Sequence, residues 1–305
     1  MDSPRRIMVV VEPWERGQSS VARAAHLARR FGAELEVWLY DPAPALSEDF
    51  YRDRTATLPR ARDPAHVRRR WLDQLLRPVR RSGIPLAAQL AVGGQARTTI
   101  LDALARHSAD IVVVASPAAF HRPANLGPSL DAWLIPASPV PVWLVRGSHA
   151  PEDALVLAAI DPVHRRDPHA RRDDRILALG RLLTGRGIER LHVFHAYHPD
   201  SRWRVAWRAF SHWLSPSRGR RHRPSNVQPH KERVAKLLKR YGVGTRQVHF
   251  TERRPRDGLT ELMESLAPGL LILGGVARGG RRLGPLSRRM IDAFPRDLIL
   301  VNYAA

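Results

Sequence analysis

Short unbroken apolar runs alternate along this chain with stretches whose apolar positions recur at helical spacing. Residues 9–11, 111–114 and 270–273 are such runs, and a strand with no polar face suits a sheet covered on both sides by helices. The clearest amphipathic stretch follows the first run. Val21, Ala24, Ala25, Ala28 and Phe31 form a stripe, Arg23, His26, Arg29 and Arg30 lie opposite, and Gly32 supplies the stop. A second stripe, Ile176, Leu179, Leu182 and Leu183, runs into the turn at 185–187. A third, Val234, Leu237, Leu238 and Tyr241, is backed by Lys231, Arg233, Lys236, Lys239 and Arg240 and closed by Gly242. Its counterpart earlier in the chain is Val67, Trp71, Leu75 and Val79, with Pro78 interrupting the last turn.

The pattern is stated nearly twice. MVVVEP at 8–13 returns as VLAAIDP at 156–162, and ELEVWLYDP at 34–42 returns as RLHVFHAYHP at 190–199. DIVVVAS at 110–116 returns as GLLILGG at 269–275, and PVPVWLVR at 139–146 as PRDLILVN at 295–302, the last pair offset by 156 residues. Near-constant offsets predict two copies of one α/β domain, 1–147 and 151–305, each ordered β-α-β-α-β-α-β-α-β around an open, mostly parallel sheet with right-handed crossovers. Ligands in such sheets bind at the carboxyl ends of strands, which is where Glu12, Ser116, Asp161, Gly274 and Gly275 fall.

Composition narrows the chemistry. There is no cysteine, so disulfide and thiolate chemistry are excluded. No apolar stretch approaches the ~20 residues of a membrane span, and the amino terminus lacks a small-residue cleavage site, so a cytoplasmic protein is expected. Of 50 basic residues 47 are arginine, a bias that a GC-rich genome explains, but the formal net charge of +21 is unevenly placed. Residues 201–256 hold 16 Lys and Arg against 2 Glu, so an anionic partner is to be sought there. Within that stretch Trp203, Trp207, Phe210 and Leu214 make an aromatic stripe beside Arg202, Arg204 and Arg208. It reads as a face packed on its own domain, the alternative being contact with an anionic membrane or a lipid-like ligand. The basic insertion at about 200–229 adds nonspecific nucleic-acid contact as a further alternative.

Enzyme signatures are missing. No Walker loop, G-x-G-x-x-G or G-x-S-x-G elbow is present, and Ser287 has no base partner. His192 and His195 stand at opposite parity on a strand, which spoils convergent metal ligation with His198.

The doubled MVVVEP and AAIDP strands, with LILGG leading through glycines to LGPLSRRMIDAFPRDLILV, resemble the universal stress protein family in its tandem, UspE-like subtype. The resemblance implies two Rossmann-like domains of the adenine-nucleotide alpha-hydrolase type, each five-stranded, joined as an intramolecular pseudo-dimer through their last strands, 142–145 against 298–301. It implies a stress-response protein acting by binding a ligand or partner, without clear catalysis. Nucleotide-binding members carry G-x2-G-x9-G followed by Ser or Thr, a loop whose backbone N–H groups cradle phosphates. Carried over, the site is Asp161, Gly274, Gly275, Gly280 and Gly284. Ala277 stands where the middle glycine belongs, three residues rather than nine separate Gly280 from Gly284, and Pro285 replaces the hydroxyl residue. ATP or a related nucleotide in the second copy, with weak hydrolysis, is therefore the alternative reading. In the first copy only Gly127 remains of the glycine set. Arg278, Arg281, Arg282, Arg288 and Arg289 make the second loop attractive to a small anion.

Overall fold

The computed structural model describes residues 3–15, 18–45, 47, 50–51, 63–106, 108–116, 128–147, 153–162, 170–197, 227–276 and 282–302. The aromatic stripe at 203–214, the basic insertion up to residue 226, Gly127, His198, Arg278, Gly280 and Arg281 lie outside them. The first copy consists of β1 (Arg6–Val11), α1 (Ser19–Phe31), β2 (Glu34–Asp41), α2 (Pro64–Arg81), β3 (Leu86–Val92), α3 (Ala96–Arg106), β4 (Ile111–Ala115), α4 (Leu130–Ala137) and β5 (Val142–Val145). The second consists of β6 (Val156–Ala159), α5 (Arg171–Thr184), β7 (Leu191–Ala196), α6 (Val227–Lys239), β8 (Val248–Thr251), α7 (Pro255–Leu266), β9 (Leu270–Gly274), α8 (Pro285–Ala293) and β10 (Asp297–Val301). The alternation is that of an α/β protein, as the repeated pattern predicts.

Two compact units result. One is Met1–Ala154 together with Gly269–Ala305; the other is Leu155–Pro268. In the first unit the strand order is β3-β2-β1-β4-β5-β10-β9. The five strands of the first copy are parallel throughout, and right-handed crossovers set α1 and α2 on one face and α3 and α4 on the other. The strand β10 then runs antiparallel to β5, pairing Leu298 with Leu144, Ile299 with Trp143 and Leu300 with Val142, and β9 runs parallel to β10. The second unit has β6, β7 and β8 in parallel.

Burial separates central from edge strands. Every residue of β4, β5 and β10 is buried, whereas β3 alternates between exposed and half-buried until Ala91. The helix α1 buries Val21, Ala24, Ala25 and Ala28 as its spacing predicts and ends on Gly32 at φ 64, whose N–H donates to the Ala28 carbonyl. Arg23 departs from the expectation. It belongs to the buried side, because an acid within the fold receives it, as described below.

In α2 the buried stripe is Arg68, Trp71, Leu72, Leu76 and Val79 rather than Val67, Trp71, Leu75 and Val79. The rotation follows from an ion pair. Arg68 Nε lies 2.6 Å from Asp41 Oδ2 with both side chains buried, and Ser47 Oγ donates to the same oxygen at 2.6 Å. The guanidinium also donates to the carbonyls of Pro44 and Pro64 and lies 5.1 Å over the ring of Tyr51. Burial and the Asp41 charge push the Tyr51 hydroxyl well above the usual phenol range. Pro78 does not stop the helix, which runs on to Arg81. The carbonyl that loses its donor belongs to the exposed Gln74.

Candidate functional site

The two copies tie their first loops to the following helix in opposite senses. After β1, Glu12 is buried and its carbonyl accepts the Glu15 N–H at 3.1 Å. The Glu15 carboxylate, 5% exposed, turns to the amino terminus of α1, where it accepts Ser20 N–H at 2.8 Å and Ser20 Oγ at 2.7 Å. Burial pushes its carboxyl up to about 7, with the hydrogen bonds from Ser20 and Ser19 pulling the other way. A helix start offers its first N–H groups to an anion; here the protein's own carboxylate takes one of them.

In the second unit the bond runs from loop to helix. The N–H of half-buried Asp161, just past β6, donates to Oδ2 of buried Asp173 in the first turn of α5 at 3.0 Å. His195 of β7 stands close by. Its Nδ1 lies 3.0 Å from the Ile160 carbonyl, which can only accept, so the ring donates from Nδ1. Burial lowers the His195 pKa, while that bond and the Asp161 charge oppose the shift. His192 engages a different partner, its Nδ1 lying 2.9 Å from His249 Nε2 with the rings stacked. Among the described residues no group of three or more His, Asp or Glu is disposed to hold a metal ion.

The glycine loop belongs to the first unit. Gly274 ends β9, Gly275 follows it, and Gly284 caps α8. The ends of the loop are drawn together: Val276 and Leu283 form an antiparallel bridge, and Gly284 N–H donates to the Gly275 carbonyl at 3.1 Å. Ser287 Oγ donates to the Gly274 carbonyl at 2.6 Å. Two donors that a phosphate loop would present are thus bonded to the loop's own carbonyls, and Pro285 at the first helical position offers none. Gly275 has a steric reason to be glycine. A Cβ there would stand 2.6 Å from Asn302 Oδ1 and 3.2 Å from Ile135 Cγ2. Asp161, assigned to the same site by the sequence, belongs to the other compact unit, and Gly280 is outside the described residues.

A further polar cluster of the first unit lies where β5 meets β10, and of its residues the strand pattern points to Ser116 alone. Arg146, just after β5, donates from Nε to Ser116 Oγ at 3.1 Å and from Nη1 to the Phe294 carbonyl at the end of α8. Asn302, just after β10, donates from Nδ2 to the Ser138 carbonyl at 3.1 Å and to the Ile135 carbonyl in α4. Arg146 and Asn302 occupy corresponding places in the two copies, and so do Ser138 and Phe294. Each copy's last strand is therefore bonded to the helix end of the other. Beside this exchange sits Asp297, 4% exposed. It accepts Trp143 Nε1 at 2.8 Å and Arg146 N–H at 3.0 Å and pairs with buried Arg23 at 2.9 Å, whose guanidinium lies 5.7 Å over the Trp143 ring. Burial lowers the Arg23 pKa and the Asp297 charge raises it. The other advance signal was an acid, Asp297, where the first copy has Pro141.

Residues 4–146 match the model of the universal stress protein family. Universal stress protein E of Escherichia coli K12 is 22% identical over 315 residues, covering 98% of this chain and 94% of that protein. Its namesake from Photorhabdus laumondii is 19% identical, covering 99% and 96%. Among solved structures, a functionally unknown protein of Pseudomonas aeruginosa PAO1, PA1789, superposes with a TM-score of 0.63 at 16% identity over 99% of this chain and 94% of that one. A universal stress protein from Archaeoglobus fulgidus gives 0.59 at 13% identity, over 99% and 97%. At these identities the structural matches speak for the fold.

Proposed function

Because residues 4–146 belong to the universal stress protein family and nearly the whole chain is similar to universal stress protein E, we propose that this protein serves the stress response by binding a ligand or partner, with its two copies closed on one another, and that it turns nothing over. The observation that carries this reading is the reciprocal bond pair, Arg146 to Phe294 and Asn302 to Ser138. With Asp297 holding Trp143 and Arg23 between them, it seals β5 against β10 and leaves neither as an open edge. A chain closed in this way has no need of a second chain at that strand.

Nucleotide binding through the glycine loop has less support, since the Gly284 N–H and Ser287 hydroxyl are already bonded within it. The reading places the protein in the cytoplasm; no helix among the described residues is long and apolar enough to cross a membrane. Native mass spectrometry of the purified full chain, with and without added ATP, tests both parts. A single-chain mass that gains no nucleotide and releases no ADP is expected. Obligate pairing of two chains contradicts the closed arrangement, and stoichiometric ATP with turnover contradicts action by binding alone.

A further inference from the structure

The second helix of each copy carries an outward basic stripe. On α2, Arg69, Arg70, Arg77, Arg80 and Arg81 are exposed, and the sole ion pair among them is Arg80 with Asp73 at 2.8 Å. From Arg69 to Arg81 the stripe follows the helix for about 18 Å at 1.5 Å per residue. On α6, Arg233, Lys236 and Lys239 are exposed opposite the buried Val234, Leu237 and Leu238, with Glu232 the acid beside them. Arg240, just beyond, reaches Asp174 at 3.4 Å. Arginine enrichment across the chain does not explain this pattern. All three lysines of the protein, Lys231, Lys236 and Lys239, lie within α6, so cationic charge is concentrated there in both forms.

Among the described side chains of α2 and α6 no large apolar one is exposed beside either stripe. The sole exposed large hydrophobic among the described residues is Val92, in β3. A bilayer surface would call for aromatic or aliphatic anchors beside the charges, and unpaired bases for stacking platforms. Cations three and four residues apart on a rigid helix fit the regularly charged phosphate backbone of a duplex. We propose that the outward faces of α2 and α6 bind double-stranded nucleic acid through its phosphates, without reading sequence. The proposal stands apart from the ligand reading above, since it uses neither the glycine loop nor Asp161.

Fluorescence anisotropy with a short mixed-sequence DNA duplex, over a salt series, tests it. The wild-type chain is compared with Arg69→Gln/Arg70→Gln/Arg77→Gln, with Arg233→Gln/Lys236→Gln/Lys239→Gln, and with a charge-matched control at exposed positions away from both helices, Arg5→Gln/Arg106→Gln/Arg254→Gln. Each helix triple should weaken binding roughly tenfold or more and flatten the plot of log affinity against log salt by about 1 per residue, while the control leaves both unchanged. Circular dichroism verifies that each variant is folded. Equal losses in all three variants would reduce the effect to net charge and overturn the proposal. It is likewise overturned if the helix variants bind the duplex as the wild type does, or if anionic phospholipid vesicles or single strands are bound in preference to it.

Discussion

The ends of β5 and β10 do the same task with different side chains. After β5 stands Arg146, a long cation whose Nε meets the Ser116 hydroxyl; after β10 stands Asn302, a short amide whose Oδ1 fills the space where Gly275 has no Cβ. Ser116 and Gly275 correspond in the two copies, as do Arg146 and Asn302. Each pair is matched in size, and each bonds to the other copy's helix end, Arg146 through one hydrogen bond and Asn302 through two. A glycine that a motif assigns to phosphate binding is thus also demanded by packing, and the residue that demands it lies at the end of the neighbouring strand.

The largest effect is expected from removing the acid that both halves share. Asp297→Ala leaves Arg23 buried without its partner and Trp143 Nε1 without its acceptor, which should cost about 3–5 kcal/mol. Urea denaturation measures it, and a loss below about 1 kcal/mol would mean that the cluster contributes little. Gly275→Ala comes next. Its Cβ must displace Asn302 or Ile135, for an expected loss of about 1–3 kcal/mol. In Gly275→Ala/Asn302→Ala the clash is relieved, so the two losses should fall short of additive; a fully additive double mutant would break the size-matching comparison.

The smallest effect concerns the first loops, where the Glu15 carboxylate bonds to α1 while Asp173 of α5 holds the Asp161 N–H. A folded pKa of about 7 lies above the ordinary 4.5, so the native state holds the proton more tightly than the unfolded chain. The stability this adds is fully present below about 4.5 and is lost as pH rises through about 7. Glu15→Gln, which keeps an acceptor and removes the charge, should raise the melting temperature by a few degrees at pH 8 and by little at pH 4.5. A pH-independent shift would show that Glu15 is not titrating there.

The strands with continuous apolar runs were legible from sequence because both their faces are covered: β1, β4, β9 and β10 fall on the repeated segments. The third strands, β3 and β8, were not located, because one shows alternating exposure and the other is half-buried throughout. The pairing of β5 with β10 followed from the family resemblance, and the register bears it out. Helix faces failed where a charge was pulled inward. Nothing local marks Arg23 or Arg68 as buried, since Asp297 and Asp41, which compensate them, are remote in sequence. Of the candidate site, the closeness of Gly274, Gly275 and Gly284 could be read, but the destination of their hydrogen bonds could not. Spacing says nothing of Asn302, whose amide claims the space beside Gly275.

Because β9 and β10 belong to the same compact unit as residues 1–154, that unit's sheet is completed by segments made long after its first five strands. During synthesis the strand at 142–145 must wait with one side unpaired while more than a hundred further residues are added. A nascent chain in that interval presents a wholly apolar, β-prone edge. Its safe arrival then depends on the pace of translation and on whatever shields that edge until Leu298 meets Leu144.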